Sequence, residues 1–270
     1  MKNRIYIIPT GGLCNRMRAM ASGINLSRQV GTPVTIYWNN TQGLCADFHD
    51  LFSPIQDGQI SIIENKKWLY NIEKTRDYML RWPFLHCMHN VVFNHDKYRK
   101  GDFLIHENDK SIYRSLLFIS CHSMCQHSSL KKLFVPQPDI QERIDGVSAL
   151  YDGNTIGVHI RRTDNIQAIN NSPIQSFYRI LAEEVKKDSS VKFYLASDDN
   201  NVKKDFQEKF PHRIITSHVK TERNSLDGMK SAVIDLFCLS RTKKIIGSDY
   251  SSYSQIAAEL NDVELKYAKA

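Results

Sequence analysis

Apolar residues near the start of the chain follow two rhythms in succession. Arg4 to Ile8 is a short, β-branched run that breaks at Pro9-Thr10-Gly11-Gly12, the pattern of a buried strand ending in a tight turn. From Asn15 onward, Met17, Met20, Ala21, Ile24 and Leu26 recur at helical spacing as far as Gly31, which predicts a helix with one apolar face. Pro33 to Trp38 supplies the next strand. The chain therefore opens as a β-α-β unit with glycine at its first turn.

The stretch from Asn39 to about Asp139 has no clean period. Phe48, Phe52, Trp68, Tyr70, Tyr78, Trp82 and Phe84 are mixed with charges, and the expectation is short helices and loops. Pro136 and Pro138 restrict their neighbours and mark a boundary, dividing the chain into residues 1–138 and 139–270. A helix over 140–151 begins the second part. Beyond Asp152-Gly153-Asn154 the pattern is regular: strands at 155–160, 191–196, 213–216 and 243–247, and helices at 176–187, 201–210, 225–240 and 253–260. Strands that alternate with helices of this length predict a parallel sheet covered on both faces.

Composition narrows the class without choosing a function. With 270 residues, 41% hydrophobic and 24% charged, this is an ordinary globular chain of two domains. The net charge of +7 suits an anionic ligand. The lysines are scattered, and no basic stripe interleaved with stacking aromatics indicates nucleic acid. Six cysteines at 14, 45, 87, 121, 125 and 238 show no disulfide framework and read as reduced thiols. Cys121-His122-Ser123-Met124-Cys125-Gln126-His127 contains zinc-type ligands, but its spacing fits none of the familiar pairs, so no metal is expected. The apolar run within Met1 to Ile8 is too short for a signal-peptide core, and no stretch reaches membrane-spanning length. A cytoplasmic protein is expected, with peripheral membrane contact left open.

In an open parallel sheet, ligands sit beyond the carboxyl ends of the strands. Three such ends carry polar groups here: His159-Ile160-Arg161-Arg162-Thr163-Asp164, Ser197-Asp198-Asp199, and Gly247-Ser248-Asp249-Tyr250-Ser251-Ser252. Paired arginines offer planar donor forks that match phosphate oxygens, or else form internal salt bridges. The serines and the amides opening helix 253–260 can converge on the same anion, or the serines can simply cap that helix. Asp198 and Asp199 can grip a ribose or base edge, or cap helix 201–210. Asp235 lies on the apolar stretch of its helix, where a carboxylate needs a partner; Arg161 and Arg162 are candidates. Gly11-Gly12-Leu13-Cys14-Asn15-Arg16 is a strand-to-helix glycine turn that lacks the lysine and hydroxyl of a P-loop.

Together these elements resemble a known family. The strand followed by Gly11-Gly12-Leu13-Cys14-Asn15-Arg16 is similar to the GGLGNR or GxGNQ opening of fucosyltransferases that use GDP-fucose. His159-Ile160-Arg161-Arg162-Thr163-Asp164 resembles the HxRRTD motif of the α1,6-fucosyltransferase and NodZ-like group. Ser197-Asp198-Asp199, Asp235 with Leu239 and Ser240, and Ser251-Ser252-Tyr253-Ser254-Gln255 match later motifs of that group. The resemblance implies a GT-B architecture, with two Rossmann-like domains of mainly parallel sheets facing across a cleft. It also implies transfer of fucose to a glycan with inversion, and no metal or cofactor beyond the donor substrate GDP-fucose. By position, Arg162 and Asp164 would be catalytic. Gly12, Asn15, Arg16, His159, Arg161, Tyr178, Asp198, Asp199, Asp235, Ser251, Ser252 and Gln255 would bind substrate.

The chain departs from the core-fucosylating relatives where Asn165 follows Asp164 and where Ile169, Asn170 and Asn171 stand in place of an acid. Asp164 is then the nearest carboxylate to serve as base. A loose, oxocarbenium-like transition state needs little basic help if the departing diphosphate is well stabilised. The segment from about 40 to 135 is assigned to the acceptor, with Trp68 and Trp82 as aromatic faces for sugar rings. A binding module that kept the fold and lost turnover is the alternative.

Overall fold

The computed structural model describes residues 4–41, 43–72, 74–89, 91–94, 115–123, 130–217 and 224–270. It separates into two units, Met1–Val135 and Pro136–Ala270. The first contains β1 (Arg4–Pro9), α1 (Leu13–Val30), β2 (Val34–Trp38), α2 (Phe48–Leu51), β3 (Ile60–Glu64), a 3-10 turn at Lys67–Leu69, α3 (Thr75–Met88), β4 (Val91–Asn94), β5 (Ser115–Ser120) and α4 (Leu130–Leu133). The second contains α5 (Pro138–Ser148), β6 (Ile156–Ile160), α6 (Ile166–Asn171), α7 (Ile174–Lys187), β7 (Phe193–Ser197), α8 (Asn200–Lys209), β8 (Ile214–Ile215), α9 (Leu226–Ser240), β9 (Lys244–Gly247), α10 (Ser252–Leu260) and β10 (Glu264–Tyr267).

Each unit is built on a five-stranded sheet, in the orders β3-β2-β1-β5-β4 and β10-β9-β6-β7-β8. Neighbouring strands pair in parallel throughout both sheets. This is the α/β class expected, two mainly parallel sheets with alternating helices. In the second unit the chain runs outward from β6 to β8, returns to pair β9 with the other side of β6, and continues to β10. The reversal between β6 and β9 is a topological switch point, where adjacent loops leave the sheet in opposite directions and open a crevice.

Central and edge strands differ in the burial their sequences provide. β6 and β7 are buried at every position, as parallel strands covered on both faces must be. Their side chains Ile156, Val158, Ile160, Phe193 and Leu195 form one core with Phe177 and Leu181 of α7 and Phe206 of α8. β3 and β10 alternate between partly buried and exposed positions. Contrary to the expectation of loops and short helices, the middle of the chain holds β3, β4 and the 14-residue α3, while β5 spans the run Ser115 to Ser120, which reads as strand-like in the sequence. These strands have four to six residues each, and the weak alternation of β3 gives little periodic signal.

Two glycines set the strand-to-helix geometry. Gly11 has φ +76°, a left-handed conformation that side chains disfavour, and it turns the chain from β1 into α1. At the end of β9, a Cβ on Gly247 would lie 2.5 Å from Ser254 Oγ and 2.6 Å from its Cβ, so α10 rests directly on the strand. Adding a methyl there forces the helix outward. Gly247→Ala is expected to destabilise the protein by about 1–3 kcal/mol, the usual cost of overpacking, measured by urea denaturation. An unchanged midpoint would show that the close approach of α10 to β9 is not required.

Candidate functional site

At the carboxyl end of β6 the backbone is held by side chains from its neighbours. The Arg161 N–H donates to Ser248 Oγ at 3.0 Å, and the Ser248 N–H donates to the His159 carbonyl at 3.0 Å, which continues the β6–β9 pairing past the last residue of β9. From the other side, Asp198 accepts the Arg162 N–H at 2.7 Å, the Thr163 N–H at 3.3 Å and the Thr163 hydroxyl at 2.7 Å. The loop after β6 is therefore fixed between the ends of β9 and β7. Asn165 caps α6 by accepting the Ala168 N–H and donates to the Tyr250 carbonyl at 2.9 Å, which ties this loop to the one after β9.

The two adjacent arginines have different surroundings. Arg161 Nε lies 3.3 Å from Asp198, and Arg161 Nη2 pairs with Asp164. The Asp164 side chain is 59% exposed, against 19% for Arg161 and 10% for Asp198. One carboxylate thus anchors the guanidinium from within and the other holds it from the solvent side. Arg162 instead donates to the Ser172 carbonyl at 2.6 Å and lies over the Phe177 ring at 5.9 Å. Burial lowers its pKa from the ordinary 12.5. Its guanidinium braces α6 and the start of α7 rather than joining the Arg161 cluster.

His159 projects into the same end of the sheet. Its Nδ1 is 2.7 Å from Ser254 Oγ, and its ring stacks on Tyr253 with centroids 4.7 Å apart. The Tyr253 hydroxyl is fixed by the Ala232 carbonyl at 2.5 Å. Burial drives the His159 pKa well below its ordinary 6.5, with the nearby Arg161 cation adding to the effect and Asp198 opposing it. The imidazole is neutral at pH 7. Ser251 stands at the N-cap of α10, but its side chain makes no capping bond. Ser252 follows as the first residue of that helix, and Gln255 donates to the Tyr267 hydroxyl at 3.2 Å.

Other candidate residues are engaged elsewhere. Asp199 caps α8 by accepting the Asn201 N–H at 2.8 Å, the structural alternative weighed for it. Asp235 does not pair with Arg161 or Arg162 as expected. It accepts hydroxyl bonds from Tyr194, at 2.5 Å, and from Ser217, with Lys203 Nζ at 4.0 Å. Desolvation raises its pKa above the ordinary carboxylate value. The Tyr178 hydroxyl bonds Asp205, and its ring stacks on Phe206 at 4.5 Å. In the first unit, the buried Arg16 donates to the carbonyls of Gly11 and Asn39, at 2.8 Å and 2.5 Å, and to Thr41 Oγ1 at 2.9 Å, fastening the glycine turn to the end of β2. Asn15 Oδ1 accepts from Arg18, which also reaches the Cys121 carbonyl at 3.1 Å. Gly12 is the N-cap of α1.

Sequence reasoning missed Ser254 and Asn165 as organising residues. Ser254 appears in the sequence only as part of the motif run 251–255, and its contact with His159 depends on the close approach that Gly247 allows. Asn165 precedes a six-residue helix too short to register as a period. Among the described residues there is no group of three or more His, Cys, Asp and Glu side chains able to hold a metal. Residues 124–127 of the cysteine–histidine run lie outside those described. Among the described residues no helix is long and apolar enough to cross a membrane.

No protein-family model matches the chain. Its fold is similar to that of solved fucosyltransferase structures. NodZ α-1,6-fucosyltransferase soaked with GDP-fucose superimposes with a TM-score of 0.68 at 19% identity, covering 96% of this chain and 93% of NodZ. POFUT1 in complex with GDP-fucose gives 0.59 at 13% identity, over 98% and 97% of the two chains. A mutant of Arabidopsis thaliana FUT1 in complex with GDP gives 0.62 at 15% identity, over 99% of this chain and 70% of that one. At these identities the likeness shows a common fold across nearly the whole chain.

The buried, neutral His159 implies a pH dependence. Its folded pKa lies below the unfolded 6.5, so the unfolded state binds more protons below that pH. The stability from keeping it neutral is complete above 6.5 and is lost as pH falls from there. Asp235 acts with the opposite sign, because a raised carboxyl pKa favours the folded state as pH falls toward 3.8. The measurement is therefore a difference between variants. Between pH 6.5 and 5, wild type is expected to lose up to about 1.4 kcal/mol per pH unit more than His159→Asn, read from urea midpoints. Parallel profiles would show that His159 charges freely in the fold.

Proposed function

We propose that this chain is a metal-independent glycosyltransferase of the cytoplasm that moves fucose from GDP-fucose to a carbohydrate acceptor with inversion. The observation that carries this reading is the Arg161 guanidinium at the β6–β9 switch point, held by Asp198 and Asp164, within a fold like that of structures solved with GDP-fucose. The motif resemblance contributes the identity of base and sugar.

In this reading Arg161 receives the diphosphate. Asp198, already bonded to the loop backbone, keeps the guanidinium aligned, while the more exposed Asp164 gives up its pairing as the phosphate oxygens arrive. The Ser251 hydroxyl and the amides that open α10 add donors. The bond between the fucose anomeric carbon and the β-phosphate oxygen breaks, and its electron pair leaves with GDP. The acceptor hydroxyl attacks the opposite face of that carbon. Its proton passes to Asp164, the nearest carboxylate, or to water. Cationic stabilisation of the leaving group acts on charge that develops in the transition state. Arg162 serves as a positioning residue through Ser172 and α6, a change from the catalytic role its place in the motif implies.

The acceptor is assigned to the first unit. Trp38 is fully buried and bonded to the Ala46 carbonyl, which makes it core. Trp68 and Trp82 are 40% and 49% exposed, and Trp68 is retained as an acceptor-facing aromatic.

A thermal-shift panel tests the donor. GDP and GDP-fucose are expected to raise Tm more than ADP or UDP, and EDTA is expected to leave the effect intact, because a ligand that binds only the native state stabilises it. Equal shifts for all diphosphates would remove guanine from the account. In transfer assays Trp68→Ala should raise the acceptor KM without altering GDP affinity. Consumption of GDP-fucose over hours separates an enzyme from a binding module.

Arg162→Ala is expected to lower Tm by several degrees, and Arg162→Lys less, with GDP affinity changed far less than stability. A variant that melts as wild type but has lost turnover would return Arg162 to direct contact with substrate.

A further inference from the structure

Helix α3 is apolar on the side that faces outward as well as on the side that faces its sheet. Leu85 and Tyr78 pack with Ile8, Leu69, Ile72, Leu117 and Ile119. On the other side, Met79, Leu80, Phe84 and Met88 are 67%, 66%, 63% and 59% exposed. Leu80, Phe84 and Met88 are spaced four residues apart, and so are Met79, Pro83 and Cys87. These are two adjacent rows on one helix surface. The Trp82 ring packs at a tilt of 38° against His86, centroids 4.4 Å apart, at the edge of that surface. Isolated exposed apolar residues are common, but a contiguous patch with large side chains marks a contact surface.

The charges around it identify the contact. Between Asn65 and His89 there are five lysines and arginines and two acids. Lys66, Lys67, Lys74 and Arg76 are exposed, and Asp77 is neutralised by Arg81 at 3.3 Å. In a twofold dimer formed through α3, the same patch would meet itself and bring these cations together. A bilayer with anionic headgroups supplies the opposite charge together with an apolar interior. Large apolar side chains flanked by cations, with tryptophan near the boundary, are the composition of helices that lie in that interface.

We propose that the outward face of α3 docks on anionic phospholipid membranes, with Met79, Leu80, Phe84 and Met88 entering the acyl boundary and Lys74 and Arg76 among the phosphates. This surface is independent of the nucleotide-sugar reading, and its test does not use activity.

The full chain is floated with vesicles of phosphatidylcholine alone or with about a third phosphatidylglycerol. Wild type is expected to float with the anionic vesicles and about tenfold less with the neutral ones, more weakly as salt is raised. Leu80→Ser with Phe84→Ser should cut binding about tenfold at unchanged Tm. Should that pair lower Tm, the single change Met79→Glu gives the same reading at the most exposed position. Lys74→Glu with Arg76→Glu should abolish the preference for anionic lipid. The proposal is overturned if wild type ignores both vesicles, or if the folded apolar variants bind as wild type. It is also overturned if light scattering finds a dimer that Leu80→Ser with Phe84→Ser dissolves, which would make the surface a contact between copies.

Discussion

A single carboxylate organises the candidate site. Asp198, at the end of β7, accepts two backbone N–H groups and a hydroxyl from the loop after β6 while lying 3.3 Å from the Arg161 guanidinium. A largely buried carboxylate is costly without partners, and these four donors supply them. Its negative charge also makes it favourable for a cation to sit at this strand end. Without it the loop would lose its acceptors and Arg161 its inner anchor. The remaining features of the site follow from fixing this loop.

The sheet provides the location and the close contacts provide the rigidity. Reversal of strand order between β6 and β9 opens the end of the sheet, and Ser248 closes the gap in the backbone by receiving the Arg161 N–H. Gly247 lets α10 descend onto β9 until Ser254 meets His159. His159 thereby joins the site as a neutral, fixed ring. Arg162 places its charge on the Ser172 carbonyl and the Phe177 face, away from the neighbouring guanidinium. Two like charges on adjacent residues are thus separated by opposite attachments.

Much of the second unit was legible because its central strands are short, fully buried runs separated by long amphipathic helices. α7, for example, buries Phe177 and Leu181 while carrying Lys186 and Lys187 in its last turn. The three polar strand ends could be located for the same reason. The first unit was read less well. β3 and β4 are short, and the apolar residues of α3 surround the helix, so no face stands out by period. The polar residues at the carboxyl end of β6 could be named from sequence, but their partners could not. Adjacent arginines look equivalent in sequence, and only the fold shows that one meets carboxylates and the other carbonyls. Asp235 was correctly identified as needing a partner, yet Tyr194 and Ser217 are 41 and 18 residues away, and no local pattern announces such pairings.

The proposed contact of Arg161 with the donor diphosphate is tested by calorimetric titration of GDP into wild type and Arg161→Ala. A charge-assisted phosphate contact is worth about 1.5–3 kcal/mol, so an affinity loss of at least about tenfold is expected in a variant whose Tm shows an intact fold. Equal GDP affinity in the folded Arg161→Ala variant would contradict it.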